Sequence, residues 1–270
     1  MVLFPNAKIN LGLHVTGRRE DGFHNIETVF LPVPLKDVLE MVKAEDQQFA
    51  FTLSGIGIPA DGAENLCIKA WKILQKDFDL PPVKIHLHKN IPTGAGLGGG
   101  SSDGAYMIRL INSYFSLEIT DEQMEDFARQ LGSDCAFFIR NRPVFATGKG
   151  DEFSPIEVKI ANKFLLIVKP PFGVSTSEAY AGIRPSKTAL DLRDSILLPI
   201  TDWRNKIVND FEITVFKKHP EIAEIKARMY DLGALFSLMS GSGSAVYALF
   251  NRKIDPTGHF PGMFCYSAWI

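Results

Sequence analysis

Several features that would direct the interpretation elsewhere are missing from this sequence of 270 residues. It contains only three cysteines, Cys67, Cys135 and Cys265, and no two of them have the C-x-x-C spacing. Three distant cysteines predict neither a disulfide framework nor a zinc site. We therefore expect a protein of a reducing compartment, the cytoplasm.

Long apolar runs and an excess of one charge are also missing. No run reaches the roughly 18 apolar residues of a membrane-spanning helix, and residues 1–8 do not resemble the start of a secretory signal. Lysine and arginine number 29 against 31 acidic residues, for a net charge of −2. That balance gives no broad attraction for nucleic acid or an anionic membrane, so we expect neither as a partner. An anionic ligand would have to be held locally.

The chain has enough apolar residues, 46% of the total, to form substantial cores. Its length favours two domains over one. A break in the pattern falls at the glycine-rich residues 147–155, so we predict one domain over residues 1–155 and another over residues 156–270.

The local pattern predicts a mixed α and β protein. Residues 7–16 alternate between apolar and polar side chains, which indicates a strand with one face in the core and the other open. Further strands are expected at residues 24–33, 38–42, 49–53, 83–88 and 164–168, and as a hairpin-like pair at 235–239 and 245–250. Helices are expected at 65–78, after residue 100, and at 120–131, 177–182, 202–217 and 221–232. The 120–131 helix begins with a capping box, Thr120 to Gln123, and ends at Gly132.

The most informative segment is a glycine loop, residues 92–103, which reads PTGAGLGGGSSD. Five glycines in seven residues remove the side chains from backbone that follows a strand and leads into a helix. Free N–H groups and the helix dipole favour an anion there, so the segment predicts phosphate binding.

Three other interpretations of the glycine loop were compared. A Walker A loop is excluded because no lysine follows the glycines. A dinucleotide-binding loop matches G-x-G-x-x-G, but Glu118, the acidic residue about twenty positions on, does not end a second strand. A plain surface loop remains open, although this much glycine costs roughly 0.5–1 kcal/mol per residue in chain entropy.

Three segments together resemble the GHMP small-molecule kinases: residues 5–11, PNAKINL; the glycine loop; and residues 239–245, MSGSGSA. Further segments, AKINL, REDGFH, GSD and NDFE, resemble the branch of that family that acts on 4-(cytidine 5'-diphospho)-2-C-methyl-D-erythritol. Their order covers nearly the whole chain. Phe23 departs from this branch, which usually has tyrosine in that position.

The resemblance implies an α+β, two-domain GHMP kinase fold. Its N-terminal domain would be ribosomal S5 domain 2-like, its C-terminal domain ferredoxin-like αβ, and the active site would lie in the interdomain cleft. The implied activity is ATP-dependent phosphorylation of the 2-hydroxyl of the cytidine-diphosphate substrate, in non-mevalonate isoprenoid biosynthesis. ATP is the implied cofactor, with Mg²⁺ assumed because ATP chemistry nearly always uses it. The implied assembly is a monomer or a homodimer.

The resemblance also assigns the ATP-binding residues. Glycine N–H groups can form an anion nest without lysine, in agreement with that assignment. Asn65 would lie near the adenosine, although a residue that opens a helix can equally be only its N-cap. The expected ATP-binding residues are Pro92, Gly94, Ala95, Gly96, Leu97, Gly98, Gly99, Gly100, Ser101, Ser102 and Asn65.

Lys8 and Asp134 are the expected catalytic residues by the same resemblance. Asp134 would act as base on the acceptor hydroxyl, while Lys8 keeps that carboxylate ionised and polarises the hydroxyl. Without the motif context, Asp134 could be a simple cap and Lys8 a solvated strand lysine.

The expected substrate-binding residues fall in three segments. Asn10 shares a strand face with Lys8 and would orient the acceptor. His24 would contact the cytosine edge, with Phe23 and Tyr180 stacked on either side of the base. Each could instead be an ordinary surface or core residue. The remaining candidates are Ser175 and Thr176, which would bind substrate from the second domain, and Gly241, Ser242 and Gly243. These last three would close against the substrate diphosphate or the ATP end of the cleft, although a plain hairpin turn explains them equally well. Protein ligands for Mg²⁺ are not predicted.

Three alternative functions stay open from the sequence. The first is another GHMP kinase that acts on homoserine or a mevalonate derivative, the second is a nucleotide-binding regulator without turnover, and the third is a dinucleotide oxidoreductase. The base-stacking segment argues against the other GHMP kinase, because homoserine and mevalonate have no base to stack. The pair Lys8 and Asp134 argues against the regulator, because binding without turnover does not require it.

Overall fold

The computed structural model describes residues 1–57, 64–183, 185 and 191–270. They form two compact units, each assembled from several chain segments. Unit 1 comprises Met1–Ala7, Leu35–Thr93 and Gly98–Arg142, and unit 2 comprises Lys8–Pro34, Gly94–Leu97 and Pro143–Ile270. The units alternate along the chain, whereas the sequence predicted a single boundary after residue 155. The division into two family domains after residue 155 stays a prediction.

The first half of the chain is rich in strands, as expected. Its elements are β1 Val2–Leu3, β2 Asn6–Arg18, β3 His24–Lys36, β4 Val38–Lys43, β5 Ala50–Gly55, α1 Leu66–Asp77, β6 Val83–Lys89, α2 Gly99–Phe115, α3 Asp121–Leu131 and α4 Phe137–Arg140. The second half contains β7 Val144–Thr147, β8 Glu152–Pro155, β9 Phe164–Lys169, α5 Thr176–Tyr180, α6 Leu192–Ile196, a 3-10 helix Ile200–Asn205, α7 Phe211–Lys218, α8 Pro220–Asp231, β10 Phe236–Met239, β11 Val246–Phe250 and β12 Phe264–Trp269.

Unit 1 is built on a four-stranded sheet of order β1-β4-β6-β5, in which only β5 and β6 run parallel. Apolar residues alternate along β6, where Val83, Ile85 and Leu87 are buried. The capping box of α3 is present as predicted, because the Thr120 hydroxyl and the Gln123 side chain each bond the other residue's backbone N–H. That helix confirms its sequence prediction.

Unit 2 contains two antiparallel sheets. One has the order β2-β3-β7-β8, and the other has the order β10-β11-β9-β12. Every residue of β9 is buried, as expected for a central strand covered on both faces. Leu13 and Val15 of β2 join the apolar core formed by this second sheet with α7 and α8. The residues around the predicted domain boundary form the β7-β8 hairpin.

Two expectations from the sequence were wrong. Strand β2 is buried on both faces: its polar residues Lys8, Asn10 and His14 are only 3%, 1% and 2% exposed. The helix predicted at 202–217 is two elements, a 3-10 helix that ends at Asn205 and α7, which begins at Phe211. Residues 208–210 between them pair with β2 instead of continuing a helix.

Within the described residues, no helix is long and apolar enough to cross a membrane.

Candidate active site

Strand β2 carries Lys8 and Asn10 on one face in unit 2. The Lys8 ammonium donates to Asn10 Oδ1 at 2.6 Å and lies 4.7 Å from the centre of the Phe30 ring. The Asn10 amide in turn donates to Thr28 Oγ1 at 2.9 Å, and the Thr28 hydroxyl donates to the Gly12 carbonyl. Each polar side chain in this series of hydrogen bonds is oriented by the next one. The buried ammonium is therefore held in a defined position.

The first half of the glycine loop, residues 94–97, also belongs to unit 2 and is held on both sides by backbone bonds. On one side the Lys8 N–H donates to Leu97 O at 2.9 Å. On the other, the N–H groups of Ser244 and Ala245 donate to Gly94 O and Ala95 O. Gly96 has a φ of 71°, and a Cβ there would lie 1.9 Å from Ser240 O. Only glycine fits at this position.

The second half of the glycine loop, residues 98–102, starts helix α2 in unit 1. Gly98 is the N-cap, with a left-handed φ of 69°, and no side chain caps this helix. A Cβ at Gly100 would meet no atom within 4 Å. The first N–H groups of a helix have no partner within it and attract anions. This helix start therefore has the geometry of a phosphate site.

Asp134 lies in the turn between α3 and α4 of unit 1 and is half-buried. The next residue, Cys135, is buried, which raises the pKa of its thiol to about 12; its hydrogen bond with Ser101 lowers that pKa and the charge of Asp134 raises it. Asp134 is thus one residue away from a contact with the start of α2. Asp134 makes further interactions of its own.

Asn65 is the N-cap of α1, where its Oδ1 accepts a hydrogen bond from Cys67 N at 2.9 Å. Pro92 is buried just before the glycine loop. The capping role that the sequence left open for Asn65 is therefore real. Its contact with adenosine stays a prediction.

Three aromatic rings come together around His24 in unit 2. The rings of His24 and Tyr180 stack with centres 4.5 Å apart and planes at 18°, and Phe211 packs edge-on against Tyr180. Phe23 is 59% exposed and lies 5.2 Å from the Lys149 ammonium. The sequence expected Phe23 and Tyr180 to face each other across a base, but Tyr180 stacks on His24. The exposed Phe23 ring offers a face to a planar ligand.

The other substrate candidates lie in two turns of unit 2. Ser175 is the exposed N-cap of α5, where its hydroxyl accepts from Glu178 N at 3.1 Å, and Thr176 is the first residue of that helix. Gly241 and Gly243 have left-handed φ values of 53° and 86°. Ser242 between them is half-buried, whereas its neighbours are buried.

Several side chains around these residues were not predicted from the sequence. In unit 1, the Lys89 ammonium bonds both Asp37 and Asp103, in a buried ionic cluster next to the start of α2. In unit 2, Thr28 and Ser240 orient Asn10 and the glycine loop. The lysine before the glycine loop and the aspartate at its end were visible signals for the cluster, but the fold is needed to show that they meet.

The ionic cluster has an unusual charge distribution. Burial raises the pKa of Asp103 to about 8, and the nearby Asp37 carboxylate adds to this rise against the opposing effect of Lys89. Burial alone would lower the pKa of Lys89, but Asp103 and Asp37 outweigh it and raise that pKa. Asp103 Oδ1 has no hydrogen-bond partner in the described residues. Burial therefore favours the protonated form of Asp103, while the two neighbouring carboxyl groups favour the charged form of Lys89.

The described residues contain no group of three or more histidine, cysteine, aspartate or glutamate side chains that could hold a metal ion. Mg²⁺ that accompanies ATP is usually held by substrate phosphates, water and one or two protein oxygens, so it does not need such a group. Ser102 Oγ, buried in the first turn of α2, is without a partner in the described structure. An oxygen donor next to the phosphate site is compatible with such an ion.

Comparisons with known proteins agree with this geometry. Residues 65–142 match the family described as "GHMP kinases N terminal domain", and residues 201–256 match "GHMP kinases C terminal". The 4-diphosphocytidyl-2-C-methyl-D-erythritol kinase of Bacteroides thetaiotaomicron is 49% identical over 263 residues, which cover 97% of this chain and 94% of that protein.

Solved structures give the same result. A crystal structure of 4-(cytidine 5'-diphospho)-2C-methyl-D-erythritol kinase superposes with a TM-score of 0.79 at 32% identity, covering 92% of this chain and 90% of that one. The mevalonate kinase of Methanococcus jannaschii has a TM-score of 0.74 at 14% identity, covering 100% and 98% of the two chains. At that identity the second match shows a shared fold alone. The α+β GHMP kinase fold is confirmed.

Proposed function

Because the chain belongs to the GHMP kinase family, among the 4-diphosphocytidyl-2-C-methyl-D-erythritol kinases, we propose that it transfers the γ-phosphoryl group of ATP to the 2-hydroxyl of 4-(cytidine 5'-diphospho)-2-C-methyl-D-erythritol. The products would be the 2-phosphate and ADP, a step of non-mevalonate isoprenoid biosynthesis. The observation that carries the proposal is the near full-length similarity together with a helix start suited to phosphate.

ATP would bind through the glycine loop. The proposal assigns its phosphates to the backbone N–H groups of residues 98–101, which begin α2 without a side-chain cap. The space beside Gly100 supports this assignment, because a Cβ there would meet no described atom within 4 Å outside the backbone of its own helix. Asn65 and Pro92 would line the adenosine side.

Lys8 and Asp134 would act on the acceptor hydroxyl. Phosphoryl transfer requires an aligned acceptor, a group that takes its proton and positive charge that offsets the developing negative charge. Asp134 would take the proton and Lys8 would supply the charge. The support for Lys8 is its burial and its bond to Asn10, which fix the ammonium on β2.

Mg²⁺ would be held mainly by the ATP phosphates, with a hydroxyl from Ser101 or Ser102 as the protein ligand. When bound, it would neutralise charge on the transferred group. Lys8, Asp134 and the N–H groups of α2 would hold and orient the reactants around it.

The cytidine end would be recognised by Phe23, His24 and Tyr180. The stack of His24 on Tyr180 supports this, because it fixes the imidazole so that its ring nitrogens can reach a cytosine edge. Phe23 keeps an apolar face for the base but lacks the hydroxyl of the usual tyrosine. Homoserine and mevalonate have no base to stack, which disfavours them as acceptors.

Phosphorus NMR of the purified chain with ATP tests the acceptor directly. Separate samples contain the cytidine-diphosphate substrate, homoserine and mevalonate. We expect a new phosphomonoester signal with the first alone. A signal with homoserine or mevalonate contradicts the proposal, and so does the absence of a signal in all three samples.

The Asp134→Asn variant tests the proton acceptor. It should bind ATP as the unmodified chain does but lose at least about a hundredfold in kcat, the range expected for a general base. The Asp126→Asn variant, a change on the exposed surface of α3, is the control and should keep full activity. Unchanged kcat in Asp134→Asn would contradict the assigned role.

A further inference from the structure

Residues 208–212 attach directly to strand β2. They have no role in the proposed function above. The Leu13 N–H donates to Val208 O and the Asp210 N–H donates to Leu13 O, both at 2.9 Å. The Asp210 carboxylate also accepts from Val15 N at 2.8 Å. This segment therefore has a fixed position relative to the strand that carries Lys8 and Asn10.

From that position, two side chains hold the start of the turn formed by residues 239–245. The Asn209 amide donates both of its N–H bonds, to Met239 O and to Gly241 O, each at 2.8 Å. Its Oδ1 accepts from Phe211 N, so the amide cannot rotate freely. Glu212 accepts from Met239 N at 2.9 Å and is paired with Lys226.

The bond to Gly241 O determines where the next N–H points. In a trans peptide the carbonyl and the following N–H point in opposite directions. A Gly241 carbonyl turned toward Asn209 therefore turns the Ser242 N–H away from it. Ser242 is the half-buried residue in an otherwise buried segment, and a left-handed glycine lies on either side of it.

The same turn is bonded to the proposed site on its other side. The Ser240 hydroxyl donates to Gly96 O at 2.9 Å and accepts from Asn10 N at 3.3 Å. The Asn209 amide thus holds the turn to residues 208–212, and the Ser240 hydroxyl holds it to the glycine loop and to the strand of Lys8.

We propose that Asn209 is a positioning residue that presents the Ser242 N–H to the diphosphate of the acceptor substrate. The proposal depends on the proposed function, since it assumes that the substrate carries a diphosphate. Asn209 itself would not contact the substrate. It would act through the peptide between Gly241 and Ser242.

Two variants of Asn209 test the proposal. Asn209→Asp keeps the shape but has no N–H donor, and Asn209→Ala removes the donors without adding charge. Ser237→Ala is the matched control, because it removes another buried hydrogen bond of unit 2, to Tyr247 O, and within the described residues its hydroxyl makes no bond to the turn. For each chain we would measure thermal stability, kcat, and KM for both substrates.

We expect both Asn209 variants to raise KM for the cytidine-diphosphate substrate about tenfold, the change expected for one hydrogen bond to a charged group. KM for ATP should stay within about twofold, and Ser237→Ala should change neither value. Equal KM values in the variants and the control, or a loss confined to kcat, would overturn the proposal. Failure of the unmodified chain to phosphorylate this substrate would instead overturn the proposed function.

A measurement on the unmodified chain covers the case in which the variants do not fold. In a chain labelled with ¹⁵N, the Ser242 amide proton should shift downfield as the cytidine-diphosphate substrate is added without ATP. The Gly233 amide, in the turn after α8, should not move. A Ser242 resonance that stays in place at saturation overturns the proposal.

Discussion

The two halves of the glycine loop are built in different ways. Residues 94–97 are held by backbone bonds from β2 on one side and from Ser244 and Ala245 on the other. Residues 98–102 begin a helix whose first turn has no side-chain cap, next to the buried cluster of Lys89, Asp37 and Asp103. The first half is fixed by neutral backbone groups, and the second is supported by charges.

The difference shows that one glycine-rich motif meets two separate requirements. Gly96 is glycine because the protein's own backbone leaves no space for a Cβ. Gly100 is glycine although the protein leaves that space empty. The motif therefore contains a glycine required by the protein, Gly96, and a glycine with open space, Gly100, and substitutions at these two positions should have different effects.

The largest expected effect is the loss of stability when the ionic cluster beside the second half of the glycine loop is broken. Lys89→Met would leave Asp37 and Asp103 without their buried cation, which typically costs about 3–5 kcal/mol. Urea unfolding measures this loss of stability. Lys84→Met, on the same strand but exposed and paired with Asp46, is the control and should leave stability unchanged. Equal midpoints for the two variants would show that the cluster does not support this half.

A slightly smaller loss is expected when the first half is broken. Gly96→Ala combines an overlap with Ser240 O and a left-handed conformation, together about 2–5 kcal/mol. Gly233→Ala is the control, because Gly233 has a φ of 92° but nothing within 4 Å of a Cβ. The difference between the two unfolding free energies isolates the overlap. If both variants lose the same amount, the close approach to Ser240 is not what requires glycine.

Much of the fold was readable from the sequence because local signals and tertiary structure agreed. The capping box of α3 and the all-apolar run of β9 each predict their element without long-range information. The helix predicted at 202–217 failed because residues 208–210 pair with β2, a contact that helical spacing cannot reveal. The open face expected for β2 failed for a related reason, since Lys8 and Asn10 satisfy each other and can be buried.

The candidate site was predictable only as far as its motifs extended. Lys8, Asp134 and the glycine loop came from recognisable segments, whereas Thr28 lies in ordinary strand sequence, and the segment that contains Ser240 does not reveal what its hydroxyl contacts. Their importance comes from long-range partners, Asn10 and Gly96, that no spacing rule connects. Asn209 was inside a recognised segment, but its two carbonyl partners are thirty residues away in sequence.

A change of binding without a loss of stability is expected at Gly100. In Gly100→Ala the new methyl group has space within the protein, and alanine in a helix is favoured over glycine by about 0.5–1 kcal/mol. KM for ATP should rise about tenfold, because the methyl group would occupy the place proposed for a phosphate. KM for the cytidine-diphosphate substrate should be unchanged, as an internal control. An unchanged KM for ATP would contradict the ligand requirement of this half.

A pH dependence is expected in the second half of the loop. Folded Asp103 keeps its proton up to a pKa of about 8, whereas in the unfolded chain it ionises near its ordinary value of 3.8. The folded state therefore binds more protons between these values, and the stability contributed by Asp103 falls as pH rises toward 8 and then levels off. The groups around it are Lys89, Asp37 and the Cys67 thiol, whose pKa burial raises well above its ordinary value.

Urea unfolding of the unmodified chain and of Asp103→Asn at pH 6, 7, 8 and 9 measures that dependence. As pH rises to 8, the unfolding free energy of the unmodified chain should fall relative to that of Asp103→Asn, because asparagine cannot ionise. Burial also raises the pKa of Glu212, but this group is present in both proteins and cancels in the difference. Parallel curves would mean that Asp103 is already ionised at pH 6. The second half of the loop would then rest on a cluster of net negative charge, a poor support for a phosphate site.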